Sequence, residues 1–283
     1  MTTVALVTGA SRGIGKACAV HLARRGFDVA LLARTNVEGE RREHSSTLAR
    51  SDTSPLPGSL ATTADLVRAE GQEALTLVAD LTDRATVAAA GATVLERWGR
   101  VDVLVNNGRY IGPGHMDRVV DTPLELLDKH LEANVMAPLV LAKLVLPQMV
   151  ERGSGAVLNV TSSVAWMDPP AAAGAGGWGL GYAFSKGALH RVAGVLHAEL
   201  QGTGVACVNV DPGYVATERM IQDMGAFGFD GRDAAPPDAV GAAVAWLACD
   251  DHAREWSGKV FVAQEMCARL GLIPGFTPAT NPV

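Results

Sequence analysis

The chain of 283 residues is poor in aromatic residues and in cysteine. Aromatics make up 5% of it and only three are tyrosine, which argues against a β-sandwich built on a ring-rich core. The four cysteines are Cys18, Cys207, Cys249 and Cys267. None has CxxC spacing, and no histidine stands at zinc-ligand distance from a pair of them, so no metal site is expected. They read as reduced thiols in a reducing compartment. No basic run extends beyond paired arginines and the net charge is −6, which argues against nucleic acid as a partner. The N-terminus "MTTVALVTGA" has neither the charged nor the long apolar segment of a signal peptide. The most apolar long window, "LVLAKLVLPQMV" (139–150), is interrupted by Lys143 and Pro147 and is by itself too short for a bilayer. The ending "NPV" matches no retention or lipidation signal. A soluble, cytoplasmic protein is expected.

What the chain does have is a rhythm. Short β-branched runs at 4–7, 28–32, 74–78, 101–105, 156–160, 205–210 and 260–263 alternate with helical stretches. Such alternation predicts βαβ units and a doubly wound, Rossmann-like parallel α/β sheet of about seven strands, with 260–263 last. No repeat or composition break divides the chain, so one domain spanning 1–283 is expected. Three stretches interrupt the rhythm. Residues 35–60 are polar with two prolines and read as a long, partly mobile surface loop. Residues 167–181 are rich in Pro, Gly and Ala. Residues 214–236 mix Met220, Met224, Phe227 and Phe229 with glycines after a strand end, as a substrate lid would.

"VALVTGASRGIG" runs from strand through turn into helix, with Gly9, Gly13 and Gly15 in G-x-x-x-G-x-G spacing. Glycine permits the tight turn and lets the backbone approach a pyrophosphate at the helix N-terminus. "GAGGWG" (174–179) also fits G-x-G-x-x-G but lacks the strand before it, and reads as loop. A cofactor with a free ribose 2′-hydroxyl calls for a carboxylate about 20 residues past the glycine turn. Ala33 and Arg34 stand there instead. Arg34 and Arg12 together favour the 2′-phosphate of NADP over NAD. Asp80, after the third strand, is placed to bond the adenine.

Tyr182 and Lys186 are one helical turn apart, in "YAFSK", and so share a helix face. An ammonium beside a phenol favours the phenolate, which suits proton transfer to or from an alcohol or carbonyl oxygen. The spacing alone is weak evidence; a core tyrosine and a solvated lysine fit it too. Context adds Ser162 beyond the strand at 156–160, with Ser163 as the alternative. Asn134 stands inside a helix, where asparagine needs a reason. Pro212, Gly213, Val215 and Thr217 follow the strand at 205–210, where they would lie near a nicotinamide.

Taken in order, "TGASRGIG", "ADLTD", "NNGR", Asn134, Ser162, "YAFSK" and "DPGYVAT" resemble the short-chain dehydrogenase/reductase family over residues 3–265. The segments "LPGSL" and "EMCARLGLIPGF" further resemble a hydroxysteroid-dehydrogenase-like subgroup. The resemblance implies an NADP(H)-dependent oxidoreductase acting on a small, apolar carbonyl/alcohol pair, with Asn134, Ser162, Tyr182 and Lys186 as its proton-transfer set. It extends the cofactor site to Ser11, Ile14, Leu81, Asn107 and Gly108, with Tyr182 and Lys186 at the nicotinamide ribose. It implies a homo-oligomer, tetramer or dimer, packed through the helices near 124–150 and 183–201. A non-catalytic nucleotide-binding regulator is the alternative. The sequence departs from the family in three places: Gly108-Arg109 replaces the usual Ala-Gly, the loop at 35–60 is long, and 20 positions separate Ser162 from Tyr182.

Overall fold

The computed structural model describes residues 2–227 and 231–279. Phe229 of the expected lid and the final "NPV" lie outside the described residues. Seven strands form one parallel sheet: β1 (Thr3–Thr8), β2 (Phe27–Ala33), β3 (Ala74–Val78), β4 (Val103–Asn106), β5 (Gly155–Val160), β6 (Val205–Asp211) and β7 (Val260–Val262). Their order is β3-β2-β1-β4-β5-β6-β7, so β7 is an edge strand and the winding reverses between β1 and β4. This is the doubly wound, Rossmann-like architecture expected from the alternation.

Burial explains the continuous apolar runs. Ala5 and Val7 of β1 pack with one face, against α1 (Gly13–Arg24), α2 (Leu60–Ala69) and the later helices α8 (Pro237–Leu247) and α10 (Ala263–Arg269). Val4 and Leu6 pack with the other, against α3 (Arg84–Trp98), α5 (Ala137–Arg152) and α6 (Leu180–Glu199). Strand side chains alternate between faces, and here both faces are covered, so most positions are apolar, with Asn106, Asn159 and Asn209 among the buried polar exceptions. Helix ends follow local chemistry. Ser59 accepts from the Thr62 N–H at the start of α2, and Asp83 accepts from Ala85 and Thr86 N–H at the start of α3. Gly153 ends α5 in the left-handed conformation, at φ 74°.

The apolar window at 139–150 belongs to a longer helical run than the sequence suggests. The run comprises α4 (Leu124–Leu131), a π-helical segment Glu132–Met136, and α5. Pro147 sits within α5 without ending it. By length and composition alone Leu124–Arg152 could cross a membrane, but half of its most apolar window is buried in the fold. That is the behaviour of a core helix.

The polar segment 35–60 differs from expectation. It carries no regular structure up to α2, yet His44, Ser45, Ser46 and Thr47 are buried in it. Asp117 accepts from Thr47 Oγ1 at 2.6 Å, from Leu48 N at 3.0 Å and from Gly114 N at 2.7 Å. Arg219, on the short helix α7 (Glu218–Asp223), donates to the His44 carbonyl and to Ser46 Oγ. The segment is a strap held down by hydrogen bonds. Its polar composition serves these bonds as well as solvation, since 36–39, 41–42 and 48–51 are exposed.

Candidate active site

The cleft opens at the carboxyl ends of the strands, where β1 and β4 diverge. Its floor is the glycine turn. A Cβ on Gly15 would stand 2.2 Å from the Gly9 carbonyl oxygen, and one on Gly9 would stand 2.8 Å from Gly108 Cα, so the backbone packs too closely for side chains. Thr8 Oγ1 accepts from the Asn107 and Gly108 N–H groups at 3.0 and 2.9 Å, which joins the turns after β1 and β4. Gly108 departs from the family alanine for a local reason. A Cβ there would meet Leu81 Cδ1 at 2.6 Å and Gly9 N at 3.0 Å.

Helix α1 begins at this turn with no side-chain cap and no acidic residue in its first turn. An uncapped N-terminus of this kind leaves its N–H groups and positive dipole end for an anion, so these residues fit a pyrophosphate. Ser11, Arg12, Gly13, Ile14, Asp80 and Leu81 all line the cleft, as expected. Arg34 lines it too, with Nη1 3.8 Å from Asp80 Oδ2.

Arg12 lines the cleft and is also tied to the strap. Its Nε donates to the Pro57 carbonyl at 2.9 Å, and its Nη2 donates to Gly58 at 2.6 Å and Leu56 at 3.3 Å. Three carbonyls of the strap thus hold the guanidinium that was expected to face a 2′-phosphate. In exchange the strap brings Arg42 to the cleft wall, where it donates to the Arg34 carbonyl and pairs with Glu40. The sequence offered a signal for this, the "RR" at 41–42 soon after β2, but no spacing rule ties an unstructured insert to a cleft.

A second cleft adjoins the first. Ile14, Arg109, Tyr182, Pro212, Thr217 and Arg219 line both. Ser162, Ser163, Gly213 and Val215 line only the second, and Lys186 only the first. Tyr182 therefore stands at the junction, in the first turn of α6, with Lys186 a turn later. Lys186 is buried and donates to the Val160 carbonyl at 2.7 Å. Burial lowers its pKa to about 7, the Arg109 charge pushes the same way, and Asp211 opposes both. Ser162 has its Oγ 3.4 Å from the Val164 N–H.

Asn134 has its reason. It lies in the π-helical segment, where the Ala137 N–H reaches back to the Glu132 carbonyl. Its Oδ1 accepts from the Tyr110 N–H at 2.6 Å, and its Nδ2 donates to Ser185 Oγ at 2.9 Å. It is joined to the residue beside Lys186. Such π-bulges often mark functional positions.

The sequence reading missed the rest of the second cleft. Trp178, from the "GAGGWG" loop, and Met116 are buried against Met220 and Met224, with Tyr182 packed on the same cluster. His115 lies with its ring centroid 4.4 Å from that of Tyr182. Burial first, and the Arg109 charge second, push its pKa well below the ordinary histidine value. Arg109 lies over the other side of the cleft junction, its guanidinium carbon 5.2 Å from the Tyr182 ring centroid. Among the described residues no group of His, Cys, Asp or Glu could hold a metal ion.

The short chain dehydrogenase family model matches residues 3–56 and 51–224. The chain belongs to the short-chain dehydrogenase family. A short chain dehydrogenase of Pseudocercospora fijiensis is 36% identical over 217 residues, which is 76% of this chain and 60% of that protein's length. This chain thus spans less than two thirds of that relative. A cyclohexanol dehydrogenase of a Rhodococcus species is 31% identical over 226 residues, 80% of this chain and 78% of that one. Among solved structures, a metagenomic short-chain oxidoreductase in complex with NADP is 27% identical with a TM-score of 0.68, covering 92% of this chain and 96% of that one. Family membership supports a dehydrogenase and a nicotinamide cofactor for the glycine-floored cleft.

Proposed function

We propose that this chain is an NADP(H)-dependent oxidoreductase that interconverts a carbonyl and a secondary alcohol. The observation that carries the reading is Tyr182 at the junction of the two clefts, one turn before a buried lysine. The nicotinamide supplies or takes the hydride when the cofactor is bound. Tyr182 gives the matching proton to the substrate oxygen, or takes it. Ser162 holds that oxygen by a hydrogen bond. Lys186 favours the phenolate electrostatically and bonds the nicotinamide ribose. Asn134, through Ser185, orders the polar chain behind Lys186.

The preference for NADP rests on the missing carboxylate after β2 and on Arg34, with Arg42 beside it. The NADP-bound relative is consistent with it. Residues 214–236 act as the substrate lid of a single catalytic domain; Met220 and Met224 already pack around Tyr182. The four free cysteines fit a cytoplasmic setting. Leu124, Val150 and Val195 leave apolar surface exposed on α4, α5 and α6, the helices assigned here to contacts in a homotetramer. Sedimentation at micromolar concentration tests that assignment, and a monomer alone rejects it.

The deciding experiment for function is cofactor consumption over a panel of ketones and secondary alcohols, with NADPH and NADH in parallel. Turnover with NADPH supports the reading. Tight cofactor binding with no turnover on any substrate supports the regulator instead.

A further inference from the structure

Arg109 stands where the family has a small residue, and the chain gives most of its guanidinium nothing to bond. Its Nη1 donates to the Tyr110 carbonyl at 3.0 Å. Among the described residues neither Nε nor Nη2 has a hydrogen-bond partner, and no carboxylate forms an ion pair with it. Burial lowers its pKa from the ordinary arginine value, as expected of a cation drawn out of water. Arg109 is half-buried and lines both clefts, so a ligand there can reach its free N–H groups.

The Asp223 charge favours the cation, but among the described residues it forms no ion pair with Arg109. Arg219, on the same cleft wall, is matched. It donates to the His44 carbonyl and Ser46 Oγ, and forms an ion pair with Asp223, which also pairs with Arg50. Among the described residues no Asp or Glu lines the second cleft, although Asp80, Glu40, Glu43 and Glu218 line the first. The described wall of the second cleft thus carries Arg109 and Arg219 without a carboxylate, whereas the first mixes cations with carboxylates. Trp178, which also lines the second cleft, has a buried Nε1–H with no hydrogen-bond partner.

We propose that the substrate carries a carboxylate and that Arg109 binds it. This rests on the oxidoreductase reading above, and narrows its apolar carbonyl substrate to an oxo acid or the matching hydroxy acid. A guanidinium offers two parallel N–H groups to a carboxylate, and Nε with Nη2 is the pair left free. Its position over the Tyr182 ring puts the bound anion close to the reacting oxygen. That favours a carboxylate near the carbonyl, as in α- and β-oxo acids, over one at the end of a long chain. Met116, Met220 and Met224 leave an apolar wall for the remaining carbon skeleton. Reduction balances as hydride from NADPH to the carbonyl carbon and a proton from Tyr182 to its oxygen. The carboxylate itself neither gains nor loses a bond.

The test compares each acid with its neutral amide: pyruvate with pyruvamide, and acetoacetate with acetoacetamide. Affinity is measured by calorimetry on the NADP-loaded protein, and kcat/KM by NADPH consumption. The acids are expected to exceed the amides by about tenfold or more in both measurements, the scale of a charge-assisted hydrogen bond. Arg109→Gln should bring the acid-to-amide ratio towards one, and Arg109→Lys should restore part of it. Wild-type protein with no preference for the acids overturns the proposal, and needs no variant to fold. So does an Arg109→Gln protein that loses affinity for NADPH and keeps the acid preference, since the guanidinium would then serve the cofactor. If no carbonyl compound is reduced but the acids still bind more tightly, the oxidoreductase reading fails and the anion site stands. If neutral ketones are reduced as well as the acids, the reading stands and the anion site fails.

Discussion

In the proposed reaction the chemistry at Tyr182 comes down to one phenolic proton, one helical turn from the buried Lys186. Tyr182→Phe keeps the ring, its contact with His115 and its place over Arg109, and removes only that proton. Turnover should fall by roughly 10²-fold or more, while NADPH affinity measured by fluorescence titration stays within error. A variant with wild-type kcat would reduce Tyr182 to packing. Arg34 is the next single-residue question. With Arg12 held by three strap carbonyls, Arg34 is the cleft guanidinium that directly follows β2. Arg34→Ala should cost about 1–3 kcal/mol of NADPH affinity and leave NADH nearly untouched, the scale of a charge-assisted bond lost. Equal losses for the two cofactors would show that no 2′-phosphate sits there. Both residues were legible from spacing and strand position. Arg12 was legible as a cleft residue but not in its role, because its partners are backbone carbonyls whose approach no side-chain pattern encodes.

Among the elements, the strap at 35–60 and the helix α7 are tied together by hydrogen bonds. Asp223 joins them. It is fully buried, accepts from Ser46 and Arg50, and pairs with Arg219. Asp223→Ala leaves buried Arg219 without its counter-charge, the kind of loss that costs about 3 kcal/mol or more. A lower urea midpoint with an unchanged slope should report it. Trypsin should also cut faster at Arg41, Arg42 and Arg50, because the strap would lose its anchor. Unchanged midpoint and cleavage would show that the strap is held elsewhere. The strap explains why a polar, proline-bearing insert can be ordered. Glu43 alone bonds Ser51, the Ser45 N–H and the Asp52 N–H. Burial works to raise its pKa, but these bonds hold it down at about 2.

For the molecule as a whole, the buried histidines set how it meets acid. His130 is fully buried beside Tyr110, and burial, reinforced by the Arg109 charge, lowers its pKa to about 4. An unfolded chain would take up that proton near pH 6.5. Above that pH both states are neutral here and the residue adds no pH dependence. As pH falls from 6.5 towards 4, the unfolded state binds the proton first and folding stability is lost, by up to about 3 kcal/mol on linkage grounds. His130→Leu should flatten the stability curve in that window, as read from urea midpoints at pH 7, 5.5 and 4.5. Parallel curves for the two proteins would remove His130 as the source.

The strands and helices, the glycine turn and the Tyr182–Lys186 pair were determined by local sequence. Strand burial on two faces demands continuous apolar runs, and a tight phosphate-sized turn demands glycine at fixed spacing. Asn134 announced itself as a misfit in a helix, but only the π-bulge and the Ser185 bond account for it. The strap, the tie between it and Arg12, the packing of Trp178 on Met220 and Met224 and the placement of Arg109 over Tyr182 were decided by tertiary structure. Each depends on groups far apart in the chain, such as Arg12 with Leu56–Gly58 or Ser46 with Asp223. Whether a polar side chain is solvated, tied down or left facing a cleft is set by what the fold brings against it, and that information does not reside in its neighbours along the sequence.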